Sequence, residues 1–273
     1  MATESSTQVP EASSCKFIGC SIKALPEDQW ISAAEEACVE NPANAPESQM
    51  LYQATDEVIS PQHLALLTSK YWGKSGVRLT VSFLDDPEVL LRTRILSHMN
   101  AWAAFANVQF TEVPSSGQVR ISREVDGYWS YLGTDIKSIR RNRATMNLES
   151  FSMDTPELEF KRVIRHETGH TLGFPHEHMR PEIVDQIDRK AAIDYFGRTQ
   201  GWTPDQVIAQ VLTPLNNAQI IRIGEADEES IMCYSLPAEI MEDNVAVLGG
   251  MDINASDGEL AGRVYPLKDK NLV

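Results

Sequence analysis

Histidine and cysteine are both scarce in this chain of 273 residues, with six of the first and four of the second. So few cysteines exclude a small fold stapled by disulfides. Cys15, Cys20 and Cys38 all precede residue 40, and Cys233 stands alone after them, so no disulfide can form within residues 76–273. That distribution fits a reducing compartment, although the three upstream cysteines leave room for one bridge. Positive charge is also short: Lys and Arg total 24 against 39 Asp and Glu, a formal charge of −15. Phosphate backbones need a basic face, so nucleic acid is excluded as a partner. No apolar run approaches the length of a membrane span, which argues against a membrane partner too. The opening Met-Ala-Thr-Glu-Ser-Ser-Thr lacks the basic start and apolar run of a secretory signal. This leaves a cytoplasmic protein, one exported by a non-classical route, or one whose signal has been removed. What remains is ordinary globular composition, 42% hydrophobic and 23% charged, with length for one large domain or one and a half smaller ones.

Against that scarcity, four of the six histidines fall between His166 and His178. Residues 166–176 read His-Glu-Thr-Gly-His-Thr-Leu-Gly-Phe-Pro-His. His166 and His170, four apart, project from one face of a helix. Glu167 stands beside the first of them, able to reach a water on the metal rather than the metal itself. Gly173 lets the chain leave the helix through a left-handed conformation and return His176 to the same point. Three neutral imidazoles holding one Zn²⁺ leave its fourth position open, which is the catalytic arrangement rather than the structural one. A bare His-Glu-x-x-His arises by chance in roughly one sequence in a hundred of this length. Gly173 and His176 at fixed offsets reduce that by a further factor of about a thousand.

The motif resembles that of the metzincin metalloproteases, His-Glu-x-x-His-x-x-Gly-x-x-His followed by a methionine-containing turn, and is most similar to the astacin-like branch. Gly173, Phe174, His176, Glu177 and Arg180 follow that branch's continuation, with Glu182 in its aspartate place and Ile183 and Val184 departing from its charged residues. Ser230-Ile231-Met232-Cys233-Tyr234 resembles its Ser-x-Met-His-Tyr turn, with Cys233 in place of histidine. The resemblance covers roughly residues 76–267. It implies an α+β metzincin-type zincin: a twisted mixed sheet with a backing helix and an active-site helix, then an irregular helical C-terminal subdomain. It also implies a zinc-dependent endopeptidase acting on protein or peptide substrates. Met232 would form an apolar floor under the metal, and Tyr234 would bind zinc at rest and swing to stabilise the oxyanion. Glu177 would pair with a new N-terminal amine after cleavage of a pro-segment, or with a nearby arginine such as Arg180. Two other readings stay open: a binding protein that kept the fold without catalysis, and a zinc hydrolase of non-protein amides.

Periodicity gives the organisation. Residues 1–75 read as an N-terminal extension and 76–273 as the catalytic domain, with an upper subdomain 76–176 and a lower one 177–273. Residues 1–14 are expected to be disordered, 26–39 to form a helix ended by Asn41-Pro42, and Pro61 through Tyr71 a second helix. Val77, Leu79, Val81 and Phe83 alternate as in a half-buried strand. Asp86-Pro87 should cap a helix presenting Leu91, Ile95, Met99, Trp102 and Ala106. Further strands are expected at Val108–Phe110, Val119–Ile121 and Thr145–Leu148, and Thr155-Pro156 should open the helix that runs into the motif. A capping box at Ser256–Glu259 should open the last helix. The aromatic stretch from Gly127 to Gly133 is either core or, as the resemblance implies, a substrate-binding edge strand. His178 reads as a neighbour of the site or a surface residue rather than a ligand. The basic run Lys137–Arg143 reads as a solvated loop that would favour acidic substrates if it lay near the cleft. The resemblance further implies a pro-segment that blocks the open zinc position with a cysteine or an aspartate: upstream, Cys15 and Cys20 flank the apolar Lys16-Phe17-Ile18-Gly19, which could lie extended in a cleft and set a thiolate against zinc. Asp56 is the carboxylate alternative, and a segment that merely packs on the domain is the third.

Overall fold

The computed structural model describes residues 20–46, 67–215 and 224–268. The stretch expected to be disordered, Cys15, Asp56 and the start of the second predicted helix lie outside them.

The first element, β1 (Cys20–Lys23), is a short strand. It leads into α1 (Trp30–Glu40), which buries Ala33, Ala34 and Ala37. The helix ends at Asn41, as expected, where the asparagine side chain accepts from the Ala43 amide to start a new turn. The second predicted helix does not reach Tyr71, because helix ends at Leu67 and residues 68–72 run irregularly. Their backbone groups are taken by distant partners instead of by a helical ladder. Asn44 accepts from the Tyr71 amide at 3.0 Å and donates to the Tyr71 carbonyl at 2.7 Å. The Lys70 carbonyl receives the Thr134 amide at 3.0 Å.

Strand β2 (Val77–Phe83) buries Val77, Leu79 and Val81, as its alternation predicts. Helix α2 (Val89–Met99) lays Leu91, Ile95 and Met99 on the sheet, with Trp102 beyond them. Asp86 does not cap it: the helix starts three residues later, and Asp86 pairs with Arg92 at 2.9 Å. Then follow β3 (Val108–Glu112), β4 (Val119–Ser122), β5 (Tyr128–Tyr131) and β6 (Met146–Leu148). The sheet order is β1-β5-β6-β4-β2-β3, and every neighbouring pair is parallel except β5 with β6. Strand β5 would therefore be the sheet's edge were β1 not laid along it.

The rod α3 (157–171) is made of Glu157–Glu159, a π-helical stretch Phe160–Ile164 and Arg165–Thr171. Phe160, Val163 and Ile164 bury it beneath the sheet, and the Trp102 indole donates to the Arg165 carbonyl at 2.9 Å. Beyond it the chain becomes irregular, as anticipated. It is held by α4 (Arg189–Gln200), α5 (204–212) and α6 (Ala255–Val264). The last capping box sits two residues earlier than predicted, between Asn254 and Asp257. Ser256 is diverted to Asp227, and the carboxylate of Asp257 is claimed by the segment beneath the motif. No described helix is long and apolar enough to cross a membrane.

Candidate active site

Helical spacing places His166 and His170 on one face of α3, their rings 4.6 Å apart between centroids. The helix stops at Thr171, and Gly173 takes φ +98° to reverse the chain. A side chain there would be strained by the backbone and would crowd the Lys70 carbonyl, 3.0 Å from an added Cβ. The reversal brings His176 back, its Nε2 3.0 Å from that of His170. One ligand atom from each of His166, His170 and His176 lies within 4.8 Å of the others, and all three residues are buried.

Second partners fix which nitrogen faces inward. His166 Nδ1 donates to the Ile231 carbonyl at 2.6 Å, and His170 Nδ1 to that of Phe174 at 2.8 Å. Each Nε2 therefore carries a lone pair aimed at the shared centre. Burial lowers the pKa of all three rings, to about 4 for His170, so they stand neutral as a metal requires. His166 Nε2 has no hydrogen-bond partner, nor have both carboxylate oxygens of Glu167 and the hydroxyl of Tyr234. Buried polar atoms are seldom left so, and a cation at the centre resolves the repulsion between facing lone pairs. Three neutral imidazoles and no thiolate in the triad fit one zinc ion with a position to spare.

Glu167 is fully buried, and that burial pushes its carboxyl up to about 8, opposed by the Cys20 thiol and by Arg162. Burial of this kind disfavours the charged carboxylate, and sequence alone could not show it.

The methionine turn is pinned from below. Asp257, in the first turn of α6, accepts from the Ser230 hydroxyl at 2.6 Å and the Ile231 amide at 2.9 Å. Ile231 in turn orients His166, so a capping residue of the last helix reaches the metal site through one peptide. Met232 is buried beneath α3. A Cβ added to Gly169 would meet its sulfur at 2.4 Å, so the glycine inside the motif makes room for the floor. Sequence reasoning passed over Gly169. The available signal was its cost, about 1 kcal/mol in a helix interior.

Tyr234 lies with its ring 4.4 Å from that of His176 and stacked on His178 at 4.2 Å, 15° between planes. His178 is wholly buried, not a surface residue. Its Nδ1 accepts from the Tyr234 amide at 3.4 Å while its Nε2 donates to the Gln210 carbonyl at 3.0 Å. Burial drives this ring down to about 3, so it acts as a neutral spacer. Glu177 accepts from Arg180 at 2.8 Å and from the Asp227 amide at 3.1 Å.

The N-terminal strand enters this site. β1 pairs in parallel with β5, Cys20 opposite Tyr128 and Ile22 opposite Ser130. The Cys20 sulfur lies within 4.8 Å of ligand atoms of His166 and Glu167. β5 is thus a paired strand flanking the cleft, while Tyr128 and Trp129 are also buried. A cavity of about 290 Å³ opens beside the triad, walled by Leu158, Ile231, Leu248 and Met251, with Arg162 and Glu159 at its side. Lys137, from the basic run, is engaged by Glu36 and Glu40 of α1.

Comparison with known proteins agrees with this geometry. Residues 66–194 match the family described as Astacin (Peptidase family M12A). The zinc metalloproteinase nas-27 of Caenorhabditis elegans is 26% identical over 147 residues, 54% of this chain. The aligned part is 32% of that relative's length, so this chain spans about a third of it. A structure of myroilysin superposes with a TM-score of 0.68 at 28% identity, covering 73% of this chain and 97% of the other. A second myroilysin crystal structure gives a TM-score of 0.57 at 29% identity, over 73% and 87%. Motif, sheet and site converge with these likenesses: the chain is similar in sequence and fold to astacin-like zinc proteases.

Proposed function

We propose that this chain is a zinc-dependent endopeptidase whose N-terminal segment holds it latent. The observation that carries the first half is the convergence of three neutral imidazoles at one point of a cleft edged by β5, with the buried carboxylate of Glu167 beside His166. His166, His170 and His176 would hold the metal. When bound, zinc polarises a carbonyl and makes water a competent nucleophile at neutral pH. Glu167 takes the proton of the attacking water and returns it to the leaving amine. The Tyr234 hydroxyl, held by the His178 stack, donates to the oxygen on which charge develops. Met232 packs as the floor, and β5 offers backbone groups for a peptide to join as a strand. Hydrolysis of casein or a quenched peptide, abolished by chelator and restored by zinc, tests the reading. Zinc binding without hydrolysis would favour the binding-protein alternative, and turnover only of non-protein amides the third.

Latency is supported by Cys20. Its thiol is the side chain that β1 sets against His166 and Glu167, and a thiolate is a strong zinc ligand. The parallel strand also occupies the edge that a substrate would need. Full-length protein should be inactive until residues 1–75 are cleaved away, and Cys20→Ala should raise its basal turnover. Equal activity of the intact and processed protein would rule latency out.

A further inference from the structure

Gln210, on α5, belongs to no motif and touches none of the three histidines. Its carboxamide nevertheless makes two contacts with one residue of β1. The Ile22 amide donates to Gln210 Oε1 at 3.2 Å, and Gln210 Nε2 donates to the Ile22 carbonyl at 3.1 Å. A strand residue directs its N–H and C=O to the same edge, and its neighbours direct theirs to the other. Ile22 therefore turns its backbone away from β5, and Gln210 supplies there what a further strand would supply. The segment in the cleft is gripped on both edges, by β5 on one side and by a single side chain on the other.

We propose that Gln210 is a main-chain clamp of the cleft, holding the backbone of whichever strand lies against β5, β1 in the latent protein and peptide substrate in the active one. The substrate half rests on the endopeptidase reading above. Three features carry the proposal. The contacts are to backbone alone, so the grip is indifferent to sequence. A carboxamide turned through 180° exchanges its donor and acceptor ends, so one residue can hold strands of either direction. And the Gln210 carbonyl receives the His178 ring nitrogen, which ties the clamp to the ring supporting Tyr234. Ile22 is two residues from Cys20. The substrate position gripped is accordingly about 7 Å along the strand from the metal centre, and peptides too short to reach it escape the clamp.

The test uses the full chain as wild type, Gln210→Leu and Gln210→Glu, each first shown to keep the wild-type zinc content. Labelling of Cys20 by a maleimide, followed by peptide mass, reads the grip on β1. Gln210→Leu should speed it by about ten-fold, the effect of losing two ordinary hydrogen bonds, and Gln210→Glu by less, since one acceptor remains. The same proteins, nicked by limited proteolysis to displace β1 without separating fragments, are then given peptides lengthened one residue at a time from each end. The ratio of kcat/KM for long over short peptides should fall about ten-fold in Gln210→Leu, through KM, with a step at one chain length and one end only. Wild-type labelling rates in Gln210→Leu would overturn the clamp on β1. An unchanged long-to-short ratio would overturn the clamp on substrate. Zinc-loaded wild type that cleaves no peptide, intact or nicked, would overturn the endopeptidase reading and with it the substrate half, while labelling still decides the other.

Discussion

From Val77 to Thr171 the chain is built on sheet and helix ladders, whereas beyond His176 helices and turns are tied together by side chains that reach backbone groups tens of residues away. The first part is a sheet with two helices on it, where Val81, Ile95, Ile121 and Val163 fill the core at the expected periods. The second is short helices and turns pinned by Asp257, Arg180, Glu177 and His178. Both meet at the metal site. The regular part supplies ligands by helical spacing, and the pinned part supplies the floor, the tyrosine and the group that orients His166. A site of this kind draws rigidity from one region and adjustable reach from the other.

The sharpest break in that comparison is at the junction. His176→Ala removes the ligand that the irregular part returns to the regular one, and should abolish both stoichiometric zinc and activity; full zinc occupancy by metal analysis would contradict the three-histidine assignment. Next is Asp257→Ala, which leaves the Ile231 amide and Ser230 hydroxyl without their acceptor. A loss of about 3 kcal/mol is expected in denaturant unfolding, with weakened zinc affinity because His166 loses its orienting carbonyl. Gly169→Ala sharpens the contrast from within the regular helix. Helix propensity alone favours alanine by about 1 kcal/mol, yet its Cβ would press on the Met232 sulfur. Overpacking should win, for a net loss of about 1 kcal/mol, and a stabilised variant would show that the floor does not bear on the motif. Asn254→Ala, which removes the cap of α6 but not Asp257, should cost about 1 kcal/mol in thermal unfolding and leave zinc in place.

The same division governs what could be read from sequence. The strand β2, the face of α2 and the helix into the motif were legible because burial there repeats at periods of two or of three to four residues. The triad and Glu167 were legible for the same reason, their geometry being that of one helix and one glycine. Asn44, Asp257 and Gln210 were not, because each satisfies backbone groups tens to hundreds of residues away. No local pattern reports such a contact. The helix predicted through Tyr71 failed on this ground, since Asn44 and Thr134 claim the groups that a helix would have used. Cys20 falls between the two cases: its chemistry marked it as a zinc-blocking candidate, but only the pairing of β1 with β5 carries it to Glu167.

The proposed zinc-dependent hydrolysis needs Glu167 as its proton carrier, and one paired measurement probes that role: zinc content and peptide turnover of Glu167→Ala beside wild type, both freed of the N-terminal strand. Each protein should hold one zinc per chain, and the variant should lose turnover by several orders of magnitude, because the attacking water loses its proton acceptor. A variant keeping more than about a tenth of wild-type turnover would remove Glu167 from the mechanism.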